Sequence, residues 1–257
     1  MTFLQDFLSL MMGTVGVFLS SDKGIFSLIM CVGIGLGGGC WWLCSVFTHL
    51  WNKRFCFNPI HHIMCGLAAM VTLLAVVVFA ALKHASTAAG ISVLAWKVEL
   101  GADRNWAAET FKIAYDRVRE LGLEDFSKSP PPPVGSSIPA VNERSQVECA
   151  WSYAVASASH FNQRRPYLSK ITSASPDIPR EVLRQDIRQY FATVGNTYPT
   201  DKAIDLVGRE IRDGLEVKLP RVVQVLRVQL IALFLIAQFV PFGLVGWAAY
   251  RDLRATT

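Results

Sequence analysis

Three stretches of this chain, 25–47, 60–82 and 228–250, each run for 23 residues without one Asp, Glu, Lys or Arg. As helices they would each extend about 34 Å at 1.5 Å per residue. The hydrocarbon core of a bilayer is about 30 Å thick, so each stretch is long enough to cross it. Composition agrees with that reading. Charged residues make up 18% of the 257 and hydrophobic ones 52%, against about 25% charged in an average soluble domain. A soluble enzyme built around one buried core is excluded. The expected fold is an all-α membrane protein with three transmembrane helices, an N-terminal amphipathic helix, and a mostly helical extramembrane domain between spans two and three.

The boundaries follow from breaks in the pattern. Residues 1–22 carry Phe3, Leu4, Phe7, Leu8, Leu10, Met11 and Met12, with Gln5 and Asp6 among them. There is no basic leader or small-residue cleavage site, so a signal peptide is not indicated. An amphipathic helix lying in the membrane interface is expected. Span one occupies 25–47, after the polar break Ser21-Asp22-Lys23-Gly24. Span two occupies 60–82, started by Pro59, and span three 228–250, followed by a short tail at 251–257. Pro241 inside span three removes a backbone hydrogen bond and is expected to kink that helix. The domain at 85–220 includes a Pro-rich spacer at 127–139, extended by the run Pro130–Pro133. Around it, 85–100 continues span two, 105–121 and 146–161 show helical periodicity, 177–191 starts at Asp177-Ile178-Pro179, and Thr200 is a candidate N-cap for Ile204, Val207 and Ile211.

Span one holds Gly33, Gly35, Gly37, Gly38 and Gly39. Gly33 with Gly37, and Gly35 with Gly39, are small residues at i,i+4, which let two helix backbones approach closely. These four are the candidate helix-packing residues. A phosphate-binding loop is not indicated, because the preceding strand and the flanking Lys-Ser/Thr are missing. No Asp, Glu, Lys or Arg lies inside any span, with Gln238 deep in the third. Ion-coupled carriers place such groups at membrane depth, and no inverted repeat is evident. A channel lined by Gln238 and the 33–39 face is a minor alternative.

Between Lys97 and Arg227 there are 19 basic and 17 acidic residues, interleaved. This marks solvated helix faces and gives no nucleic-acid surface. Lys53 and Arg54 in the short loop, and Arg251 and Arg254 in the tail, place both on the cytoplasmic side by the positive-inside rule. The domain is then periplasmic if the membrane is a bacterial inner membrane. Arg212, Lys218, Arg221 and Arg227 at the entry to span three weigh the other way.

Two constellations could carry chemistry. The run Gln146-Val147-Glu148-Cys149-Ala150-Trp151-Ser152-Tyr153 resembles the nucleophile context of papain-type cysteine proteases, which implies an activating His far downstream. Here Trp151 does not directly follow Cys149, Gln146 is only three residues upstream, and the one later histidine, His160, is eleven residues on. A thiol packed on an amphipathic helix is the preferred reading. His49, His61 and His62, with Cys56 or Cys65, could ligate haem or a metal at the ends of spans one and two. His84 is some 34 Å of helix away and cannot join them.

No catalytic residue, cofactor or metal is therefore expected. The chain reads as a non-enzymatic membrane subunit that anchors or scaffolds a multiprotein complex of a bacterial secretion, conjugation or cell-envelope machine. Its partners are the lipid bilayer and other membrane subunits or copies of itself. A haem- or metal-binding redox protein using the histidines, and a sensor whose 101–219 region binds a ligand, are the alternatives.

Overall fold

A computed structural model describes residues 2–53, 55–121, 138–139, 143–172, 185, 197–198 and 200–255. Arg54, most of the 127–139 spacer and all of the expected 177–191 helix except residue 185 lie outside the described residues. What is described is almost wholly helical. The order is α1 (Phe3–Ser21), α2 (Lys23–Trp51), α3 (Pro59–Ala81), a 3-10 turn (Leu82–His84), α4 (Ala85–Ala102), α5 (Arg104–Glu120), α6 (Glu143–Arg164), α7 (Pro166–Thr172) and α8 (Thr200–Ala255). The only extended pairing among the described residues is a two-residue antiparallel ladder, Ile138 opposite Tyr198 and Pro139 opposite Thr197.

Four helical segments are long and apolar enough to cross a membrane: Phe3–Ser21, Lys23–Trp51, Pro59–Ala102 and Asp201–Arg254. This is the signature of a multi-pass membrane protein. The three expected windows lie inside the last three, and α1 adds a fourth candidate. One boundary differs from expectation. The helix starting at Thr200 and span three are one 56-residue helix, with Pro220 and Pro241 inside it. Proline removes one hydrogen bond, but its fixed φ is helical, so the backbone continues on both sides. At the other join, α3 reaches α4 through the 3-10 turn, as the apolar run at 85–100 implied.

The chain divides into two compact units. The first comprises Met1–Leu10 and Ala89–Leu219, the second Met11–Ala88 and Pro220–Thr257. The first unit therefore takes in the amino terminus as well as the expected domain.

In the first unit each helix buries one face. On α4 it is Ala89, Val93, Trp96 and Leu100, spaced four, three and four residues apart and all fully buried. On α5 it is Phe111, Ala114, Tyr115 and Val118, and on α6 Cys149, Ala150, Tyr153, Ala154 and Phe161. Helix α5 starts where Asp103 caps it, its carboxylate accepting from the N–H groups of Asn105 and Trp106 at 3.0 Å. Such caps contribute about 1 kcal/mol. Gly208 on α8 leaves room for the aliphatic chain of Lys97, whose Nζ reaches Asp205 at 2.5 Å.

Asp6, a polar residue in an apolar helix, is 1% exposed. Its carboxylate accepts from the backbone N–H of Tyr167 at 2.9 Å and of Leu168 at 3.3 Å, with the Arg165 guanidinium at 3.5 Å. The amino terminus thus supplies the cap that α7 lacks locally.

In the second unit α2 and α3 run antiparallel: Gly33 faces Leu73, and Gly37 faces Ala69. Helix α8 runs antiparallel to α3, with Arg227 against Phe79, Gln238 against Thr72, and Val245 packed with Cys44 and Cys65. At the α2–α8 end, the Asn52 amide donates to Ala249 O at 3.3 Å and to Asp252 at 3.2 Å. At the start of α2, Lys83 and His84 meet Asp22 at 2.5 and 3.2 Å beside the ring of Phe18.

Candidate helix-packing site

The glycines of span one separate into two faces. A Cβ added at Gly37 would lie 3.0 Å from Ala69 Cα, Cβ and O, and one at Gly33 would lie 2.6 Å from Leu73 Cδ1 and 3.4 Å from its Cα. Carbon atoms in contact normally sit about 3.5–4.0 Å apart, so α2 and α3 approach at a distance only glycine permits. Gly35, Gly38 and Gly39 have nothing within 4 Å. Two of the four candidate packing residues, Gly33 and Gly37, are therefore brought into a seam within this chain. The other two, Gly35 and Gly39, face away from it. One i,i+4 pair fits against one neighbouring helix, and the second pair is rotated about 200° around the axis at 3.6 residues per turn.

A polar link crosses the same unit. Gln238 on α8 donates through Nε2 to Thr72 Oγ1 on α3, and also lies 3.5 Å from Ala68 O. Thr72 is fully buried, and its hydroxyl donates to Ala68 O at 2.8 Å. Donor and acceptor capacities at Thr72 Oγ1 are both used. Interhelical hydrogen bonds in membranes contribute about 0.6 kcal/mol on average and up to about 1.7. The deep amide that sequence alone offers as pore lining is instead turned onto a neighbouring helix. Thr72 carried the missed signal, being the one hydroxyl in the 60–82 window.

A third contact set closes one end of the unit. Cys44, Cys65 and Val245 are buried together, with Trp41, Phe55, Phe57 and Phe242 packed around them. Pro241 lies next to this cluster in α8.

The histidines are distributed as helix ends require. His61 Nδ1 accepts from the Asn58 N–H at 3.3 Å, completing the start of α3. Rings of Phe55 and Phe57 lie 5.6 and 5.8 Å from it. His62 packs on Phe57 and Trp41, and His49 is exposed. Among the described residues no group of three His, Cys, Asp or Glu side chains is placed to hold a metal ion.

Cys149, Tyr153 and His160 lie in the first unit. Burial pushes the Cys149 thiol up to about 12, and the side chain is fully covered. A nucleophilic cysteine needs thiolate and access, and Cys149 has neither. His160 is eleven residues along the same helix, about 16 Å away. Its Nδ1 accepts from the indole N–H of Trp96 at 3.1 Å, so the neutral ring is the form that fits. Burial first, and then Arg164, hold its pKa below the usual histidine value, with Glu99 and Asp103 pulling the other way. Tyr153 is pushed up by burial and then by Cys149.

Set against known protein families, curated proteins and solved structures, the chain matches none of them.

Proposed function

We propose that this chain is a non-enzymatic integral membrane subunit, a helical anchor and scaffold within a multiprotein membrane complex. The observation that carries the reading is an apolar stripe on the outer face of α4. Ile91, Leu94 and Val98 are 55, 52 and 67% exposed, while Val93, Trp96 and Leu100 on the opposite face are fully buried. Span two already uses 60–82 to fill a bilayer core, so Ile91 lies about 13 Å of helix beyond it. Apolar surface in that position marks a protein contact. Inside the spans, the polar groups Thr72 and Gln238 serve packing. That use suits an anchor better than a pore.

The three-span arrangement is supported by Asp6, whose contacts at Arg165, Tyr167 and Leu168 keep the amino terminus with the domain between spans two and three. In the second unit the ends of α2 and α8 lie side by side at Asn52 and Ala249, which supports reading Lys53, Arg251 and Arg254 as charges of one membrane face. By the positive-inside rule that face is cytoplasmic and the domain periplasmic, in a bacterial inner membrane. A secretion, conjugation or cell-envelope machine is the assembly such a subunit suits.

A photo-crosslinking residue placed at Leu94 or Val98 of the full chain, in its native membrane, tests the proposal. Irradiation is expected to yield one discrete protein adduct from those positions and none from Leu28. Adducts with lipid alone, or identical patterns from all three positions, refute it. A Soret band in the purified protein, lost on His62→Ala, would replace it with the redox reading.

A further inference from the structure

Helices α2, α3 and α8 pack tightly at Cys44, Cys65 and Val245, but toward the other end of the second unit they leave a groove. It is lined by Leu36, Ala75, Val76, Phe79, Ile231 and Phe234, with Leu230 beside them, and has a volume of about 230 Å³. That space would hold several waters at about 30 Å³ each, yet the lining offers no polar partner for any of them. Hydrocarbon is what such a wall accepts.

The groove's mouth carries a cation. Arg227 holds its guanidinium 5.5 Å from the centre of the Phe79 ring, so Phe79 is at once groove wall and guanidinium platform. Arg227 Nε is buried and has no hydrogen-bond partner among the described residues. A buried donor on a charged group is normally satisfied. Arg227 is also the residue immediately before the charge-free run 228–250, which puts it at the depth where lipid phosphates lie. Arginine matches a phosphate bidentately through its planar fork.

We infer that this groove is a phospholipid site: one acyl chain lies along Ala75, Val76, Ile231 and Phe234, and the phosphate of an anionic glycerophospholipid accepts from Arg227. The charge argues for this occupant over a partner helix, because the unfilled need at the mouth is an acceptor and the need inside is a chain. The site is independent of what the domain between spans two and three binds.

The test uses the full chain in mild detergent, with native mass spectrometry after addition of phosphatidylglycerol. One retained lipid per chain is expected. Arg227→Gln should lower the retained fraction at least five-fold, and so should Ala75→Phe, which fills the groove while leaving Arg227 in place. Arg227→Lys should lose less than Arg227→Gln. Phosphatidylglycerol should also raise the melting temperature of the unaltered chain, a readout that needs no variant to fold. Glycerol phosphate and diacylglycerol, the two halves of the ligand, should do neither. Retention unchanged in both variants overturns the inference. So does equal binding of glycerol phosphate, which would indicate a bare anion site, or a stable dimer crosslinked through Phe234, which would put a second copy in the groove.

Discussion

Replacing Gly37 by Ala tests the seam between α2 and α3 most directly, because its neighbours there are backbone. The new methyl would stand 3.0 Å from Ala69 Cα, Cβ and O, about 0.5–1 Å inside normal contact. A flexible side chain could rotate away, but a helix backbone can yield only by moving the whole helix. A shift of that size forfeits a quarter to a half of each contact's attraction along the seam, and overpacking of this kind costs about 1–3 kcal/mol. Alanine also favours helix over glycine by about 1 kcal/mol, which offsets part of the loss. Gly35→Ala supplies the correction, since it gains the same propensity and its Cβ meets nothing within 4 Å. The difference between the two variants isolates packing, and should be about 1–3 kcal/mol with Gly37→Ala the less stable. Gly33→Ala should fall between them, because its closest neighbour is the far end of Leu73. Equilibrium unfolding of the full chain by dodecyl sulfate titration in mixed micelles, followed by circular dichroism, gives the three values. If Gly37→Ala and Gly35→Ala agree within about 0.5 kcal/mol, the close approach of α2 and α3 is wrong.

Three further outcomes follow from the polar contacts. In a double-mutant cycle of Thr72→Val and Gln238→Leu, the coupling measured by the same titration should be about 0.6–1.7 kcal/mol, and a value near zero would mean that the two do not bond. Asp6→Ala strips two N–H groups of α7 and Arg165 of their acceptor; hydrogen bonds to charged groups contribute about 1.5–3 kcal/mol, so proteolysis should release the amino terminus from the variant well before the parent. His160 has its pKa held below about 6.5 by burial and Arg164, so the unfolded chain binds its proton first. The resulting stability is present above pH 6.5 and is lost as pH falls from there through the folded value, at which point Trp96 also loses its acceptor. Hydrogen exchange at α6 amides should therefore quicken between pH 7 and 5 once corrected for intrinsic rates, and His160→Asn, which keeps an acceptor oxygen, should flatten that dependence.

What was legible in the sequence was whatever repeats along one helix. Charge-free runs of 23 residues declare spans by length alone, and the spacing of Phe111, Ala114 and Val118 declares a buried face. Partner choice between helices leaves no such periodic trace. Five glycines within seven positions announce close packing, but whether Gly33 and Gly37 or Gly35 and Gly39 meet a neighbour depends on how α2 is rotated against α3. Asp6 illustrates the same gap. In sequence it is a charge spoiling an apolar helix, and only its position across from Tyr167 and Leu168, some 160 residues away, turns it into a cap.

The polar residues of the spans bear on the functional argument for the same reason. A side chain such as Gln238 near mid-membrane must find a partner, and the identity of that partner separates a pore from a bundle. Bonded to water along an open path, it would line a channel. Bonded through its N–H to Thr72, whose own hydroxyl is spent on Ala68, it ties α8 to α3. In the second unit Thr72, Asn52, Asp22 and the amide N–H of Gln238 each bond to a neighbouring helix or helix end. The surface still seeking a partner is then apolar or anionic-lipid in character: Ile91, Leu94 and Val98 in the first unit, and the groove below Arg227 in the second. A chain that spends this polar chemistry on its own packing and keeps those apolar faces open fits the proposed anchor.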